Sequence, residues 1–136
     1  MLTPTNLKVL VVDDDEVNLL ITTTMLIQMG ITAVKASTGE QALEEVEHGP
    51  YDLVLMDLEM PGIDGTKTTR EIRKKGYNMT IMAMSAYNSI NGHSRAHQAG
   101  IRVFIRKPID SDKLTEVLDL LTEGPYLLDD APMMSV

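Results

Sequence analysis

Lys8-Val9-Leu10-Val11-Val12-Asp13-Asp14-Asp15 is the stretch that decides the fold. Its apolar run does not alternate with polar residues, so it reads as a short strand buried on both faces. Three acids stop it. A strand covered on both sides needs helices above and below, and the sequence downstream supplies them.

A helix follows with Val17, Leu20, Ile21 and Met25 on one apolar stripe, stopped by Gly30. Ile31 to Ala36 is a second strand, and Ser37-Thr38-Gly39-Glu40 has capping-box spacing for the next helix. Leu53 to Met56 is a third strand ending at Asp57, and Pro61-Gly62 marks the loop beyond it. A polar helix runs from about Asp64 to Lys75. Thr80 to Met84 is a fourth strand ending at Ser85, and a weakly striped helix covers about Ser89 to Ala99. Val103-Phe104-Ile105 is the fifth strand, ending at Arg106-Lys107-Pro108. The last helix starts near Asp110 or Ser111 and carries Leu114, Val117, Leu118 and Leu121 on one face. Gly124-Pro125 ends it.

Five βα units imply an α/β fold: a doubly wound, five-stranded parallel sheet with helices on both faces. The flavodoxin-like order 2-1-3-4-5 is the expected topology. The boundaries are one domain over residues 1–124 and a C-terminal tail over 125–136, frayed or loosely docked.

With 136 residues, the chain has the size of one domain that buries roughly two-thirds of its unfolded surface. It has no cysteine, which excludes disulfides and thiolate metal sites. The net charge of −8 argues against direct nucleic-acid binding, because phosphate contacts need a basic face. No run approaches the roughly 18 apolar residues of a membrane span, and Met1 to Lys8 lacks a signal-peptide pattern. The expectation is a cytoplasmic protein with no membrane partner.

Four strands end in chemistry-bearing residues: Asp13 and Asp14, then Asp57, then Ser85, then Lys107. Ligands of an open α/β sheet bind beyond the strands' carboxyl ends, where the strand order reverses. In the order 2-1-3-4-5 that point lies between the first and third strands, so Asp13, Asp14 and Asp57 converge. Crowded carboxylates repel one another, and a hard divalent cation held by oxygen alone offsets them. Mg²⁺ suits that donor set, with Mn²⁺ as a substitute. Lys107 brings a flexible cation and Ser85 a small donor. Together they can neutralise a transferring phosphoryl group, with Asp57 as the nucleophile.

Val11-Val12-Asp13-Asp14, Met56-Asp57 through Gly65, Ser85-Ala86 and Lys107-Pro108 resemble the signature set of response-regulator receiver domains, over about residues 6–122. The resemblance implies that Asp57 is the phosphoacceptor, Asp14 the metal-binding acid, and Asp13 a helper acting directly or through water. It implies the Glu59 backbone carbonyl as a further ligand and Lys107 as the phosphoryl contact. It also implies Ser85 and Phe104 as switch residues and a cis Lys107-Pro108 bond. Glu59 and Tyr87 then flank the phosphoryl group, where they are expected to prolong its lifetime by charge and by restricting water.

The implied function is a two-component switch that catalyses only its own phosphorylation and dephosphorylation. A sensor histidine kinase or phosphotransfer protein is its donor, and a downstream effector domain or protein is its target. Two other readings stand beside it. One is a non-phosphorylated pseudo-receiver that only binds partners. The other is a phosphohydrolase of the haloacid dehalogenase type, with Asp13 as nucleophile and Asp15 as acid. Stand-alone regulator and receiver of a longer protein remain equal alternatives. His93 and His97, at i and i+4, read as a solvated helix face, and the ten methionines as core fillers.

Overall fold

The computed structural model describes residues 7–86, 90–123 and 134–135, with side chains undescribed for 90–93, 123 and 134–135. Strands and helices alternate: β1 (Lys8–Val12), α1 (Glu16–Gln28), β2 (Thr32–Ala36), α2 (Gly39–His48), β3 (Leu53–Asp57), α3 (Gly65–Lys74), β4 (Thr80–Ser85), α4 (Ile90–Ala99), β5 (Val103–Arg106) and α5 (Ser111–Glu123). All five strands are parallel and lie in the order β2-β1-β3-β4-β5.

The period-2 geometry of these strands divides the core in two. Val9, Val11, Leu53, Leu55, Met82, Met84, Val103 and Ile105 face one layer, where they meet Leu19 and Leu26 of α1 and Leu114, Val117 and Leu118 of α5. Leu10, Val12, Val54, Met56, Ile81, Ala83 and Phe104 face the other, against Ala42 and Val46 of α2, Ile72 of α3 and Ala96 of α4. Both faces are buried, which is why the strands read as unbroken apolar runs.

Three local expectations change. Most of the stripe expected to bury α1 points outward: Val17, Leu20 and Ile21 are 65%, 56% and 47% exposed, while Met25 packs half-buried against the core as expected. Leu19, Thr22, Thr23 and Leu26 are buried instead, at i, i+3, i+4 and i+7. Thr23 tolerates burial because its hydroxyl donates to the Leu19 carbonyl at 2.8 Å.

The cap of α2 lies one residue later than its spacing suggested. Thr38 is the N-cap and accepts from the Gln41 N–H at 3.0 Å, while Gln41 Oε1 accepts from the Ser37 N–H at 2.8 Å. In the tail, β6 (Met134–Ser135) adds a sixth strand parallel to β5, pairing Val103 with Met134 and Phe104 with Ser135. An open sheet edge offers unpaired backbone groups, and these two residues use them. Among the described residues no helix is long and apolar enough to cross a membrane.

Candidate functional site

The reversal of strand order between β1 and β3 brings the acids together. Asp57 closes β3 and is 1% exposed; Asp13 follows β1 and is equally buried, whereas Asp14 is exposed. One carboxylate oxygen from each of Asp13, Asp14 and Asp57 lies within 4.8 Å of the other two. Among the described residues this is the one cluster of acidic or imidazole groups close enough to share a metal ion.

Each acid is held by local chain geometry. Asp13 Oδ1 accepts the Asp15 N–H at 2.9 Å, and Asp57 Oδ1 accepts the Glu59 N–H at 3.0 Å. Both are turns in which a carboxylate satisfies a backbone donor two residues on. Asp15 is not part of that cluster. Its Oδ1 accepts from the Val17 and Asn18 N–H groups as the N-cap of α1. The hydrolase reading needs Asp15 as an acid, and that carboxylate is occupied in capping.

Lys107 enters from the end of β5. Its Nζ lies 3.1 Å from Asp57 Oδ1 and 3.6 Å from Asp13 Oδ2. The Lys107–Pro108 peptide is cis, as the resemblance implied, and the Lys107 N–H donates to the Ser85 carbonyl at 3.0 Å. Ser85 is buried at the end of β4, next to β3, where Met84 pairs with Asp57.

The electrostatics follow from burial. Removal from water pushes the Asp57 carboxyl up to about 7; Lys107 opposes this shift and Asp13 adds to it. Desolvation acts to lower the Lys107 pKa, but Asp57 and Asp13 outweigh it and hold the ammonium above the ordinary lysine value. Asp57 Oδ2 is buried and has no hydrogen-bond partner among the described residues. One oxygen of Asp57 is therefore anchored twice, and the other is left for chemistry. Three oxygen-donor acids with no nitrogen or sulfur ligand fit a hard divalent cation.

A cavity of about 370 Å³ opens beside these groups, bounded by Asp13, Asn18, Ile21, Thr22, Ala86 and Lys107 among others. The sequence pointed to neither Asn18 nor Thr22 for this role, since both lie inside a helix with no motif of their own. Gly65 entered the sequence reading only as the last residue of the motif that begins at Met56. A Cβ there would stand 2.2 Å from the Asp57 carbonyl oxygen, so only glycine lets α3 start this close to Asp57.

Phe104 is 3% exposed and packs in the layer with Ala83 and Ile101, so its ring is already turned inward. Glu59 reaches across the site: its Oε1 accepts the Ala86 N–H at 2.7 Å. Tyr87 lies outside the described residues, as does the side chain of His93. His97 Nε2 is buried without a hydrogen-bond partner among the described residues, and His97 joins no candidate metal cluster there.

Comparisons with known proteins agree with this geometry. The profile "Response regulator receiver domain" matches residues 9–119. A sensor histidine kinase, GacS of Pseudomonas protegens, is 33% identical over 95% of this chain and 15% of its own length. The transcriptional regulatory protein ZraR of Escherichia coli K12 is 35% identical over 94% of this chain and 29% of its own. The chain thus spans less than a third of either relative. Among solved structures, the response regulator TrrA of Thermotoga maritima, in complex with Mg²⁺-BeF, is 34% identical with a TM-score of 0.73, covering 85% of this chain and 98% of its own. The Francisella response regulator 1452 receiver domain is 29% identical with a TM-score of 0.78, covering 85% and 96%.

Proposed function

We propose, from the premise that this chain belongs to the response regulator receiver domain family, that Asp57 is the phosphoacceptor of a two-component switch. The observation that carries this reading is Asp57 itself. One of its oxygens is fixed by Lys107 and the Glu59 N–H, and the other is buried with no hydrogen-bond partner among the described residues.

Asp57 Oδ2 attacks the phosphorus of a phosphohistidine on a sensor histidine kinase or phosphotransfer protein. The phosphorus–nitrogen bond breaks, its electron pair returns to the imidazole, and an acyl phosphate forms on Asp57. Lys107 follows the charge from the carboxylate to the phosphoryl oxygens, and Ser85 donates its hydroxyl to one of them. Asp13, Asp14, Asp57 and the Glu59 carbonyl would hold Mg²⁺, or Mn²⁺ in its place. When bound, that ion neutralises the phosphoryl oxygens and the surrounding carboxylates. Positioning, and neutralising the charge spread over the phosphoryl oxygens, are the main help a protein gives to phosphoryl transfer.

The family acts as a phosphoacceptor switch rather than as a conventional enzyme, and the only turnover assigned here is the chain's own phosphorylation and dephosphorylation. Ser85 and Phe104 pass the change to the face formed by α4, β5 and α5, where an effector domain or protein reads it. Glu59 and Tyr87 set the lifetime of the phosphoryl group. The cytoplasm is the compartment this reading assigns. Residues 1–124 form the receiver and residues 125–136 the tail beyond it, with residues 134–135 on the β5 edge.

Intact mass after incubation with acetyl phosphate tests the proposal. One phosphoryl adduct that forms with Mg²⁺ and not with EDTA is the expected result. No adduct at short and long times, with the fold intact, would favour a receiver that only binds partners.

A further inference from the structure

Glu59 makes a contact that the phosphoacceptor reading does not require. It sits two residues past β3, yet its carboxylate spans 27 residues of sequence to accept the Ala86 N–H at 2.7 Å. Ala86 follows Ser85, the last residue of β4, and lines the same cavity as Asp13 and Lys107. Its N–H is thus a backbone donor next to the cavity that Asp13 and Lys107 line, and Lys107 Nζ is 3.1 Å from Asp57 Oδ1. Glu59 also adds to the negative field on Lys107, behind Asp57 and Asp13.

A carboxylate oxygen and a phosphoryl oxygen ask for the same partner, an N–H aimed at an anion. They also repel each other, since a phosphoryl group of about −1.5 to −2 charges replaces the single charge of the Asp57 carboxylate. We propose that Glu59 is an internal latch: its carboxylate occupies the Ala86 N–H before phosphorylation, pins Ala86 just past the end of β4, and is expelled when Asp57 is phosphorylated. The latch slows phosphorylation, because an anion must leave before another can settle. It also ties the chemical state of Asp57 to the pairing of the Ala86 N–H. The slowing of phosphorylation rests on Asp57 being the acceptor; the hydrogen bond between Glu59 and Ala86 does not.

The test uses two readouts on the wild type, Glu59→Ala and Glu59→Gln. The first is amide hydrogen exchange at Ala86 in the unphosphorylated protein. Loss of a charge-assisted hydrogen bond is expected to speed that exchange about tenfold in Glu59→Ala. The second is the rate of adduct formation from acetyl phosphate with Mg²⁺, expected to rise roughly three- to tenfold in Glu59→Ala. Glu59→Gln keeps an accepting oxygen without the charge, so it should retain most of the protection and gain only part of the rate. Unchanged exchange at Ala86 in Glu59→Ala overturns the latch, and so does faster exchange with no gain in rate. Exchange at Ala86 needs no phosphoryl chemistry, so failure of the latch is distinguishable from failure of Asp57 as acceptor.

Discussion

Replacing Asp57 by asparagine in metal-free protein should raise stability, and more so as the pH rises. Burial lifts the Asp57 carboxyl from an ordinary carboxylate value of 3.8 to about 7 in the folded chain. Between those values the folded state holds a proton that the unfolded state has released. Unfolding therefore becomes easier as pH climbs through the window, and the stability lost is that of a buried carboxylate. The difference between 3.8 and about 7 is close to three units. At about 1.4 kcal/mol per pH unit, the penalty is on the order of 4 kcal/mol at pH 8 and less than half of that at pH 5. Lys107 is already counted in that difference, since it opposes the shift. Asparagine keeps the shape and removes the charge. Urea unfolding in EDTA at pH 5 and pH 8 checks this. The gain in midpoint from the substitution should be larger at pH 8 by about 1 M, for a slope of about 2 kcal/mol per M. An equal gain at both pH values, or a loss at pH 8, would refute the argument.

Gly65→Ala forces a Cβ to within 2.2 Å of the Asp57 carbonyl oxygen. Overpacking of this kind should destabilise the domain by about 1–3 kcal/mol in thermal or urea unfolding and slow adduct formation by shifting Asp57. Leu26 is 0% exposed and Leu20 56%. Leu26→Ala should therefore destabilise by about 2–5 kcal/mol, while Leu20→Ala stays within about 0.5 kcal/mol, as urea midpoints will show. Lys107→Ala strips both Asp57 and Asp13 of their cation. In EDTA it should lose on the order of 3 kcal/mol at pH 8, with the loss shrinking toward pH 5 as Asp57 takes up its proton.

The sheet and the acid cluster were legible because their signals are short-range and redundant. Two-sided burial leaves an unbroken apolar run in a strand such as Val9–Val12, and strand order alone then brings Asp13 and Asp57 to one end of the sheet. The packing face of α1 was not legible. Val17, Leu19, Leu20, Ile21, Met25, Leu26 and Ile27 place apolar groups nearly all round that helix, so periodicity does not choose a face. Thr22 and Thr23 hide the answer further, because polar residues buried in a helix read as its outer side. The contact between Glu59 and Ala86 joins two loops 27 residues apart, and no local pattern announces such a meeting. The pairing of residues 134–135 with β5 is of the same kind, since two residues carry no strand periodicity of their own.

The central claim is that the phosphoryl group resides on Asp57, and chemical mapping tests it most directly. Borohydride reduces an aspartyl phosphate to homoserine, so peptides from protein incubated with acetyl phosphate and Mg²⁺ and then reduced will show which position carried it. The prediction is homoserine at position 57 and nowhere else, absent in Asp57→Asn. Homoserine at position 13 or 14, or a phosphoryl adduct that persists in Asp57→Asn, would contradict the account.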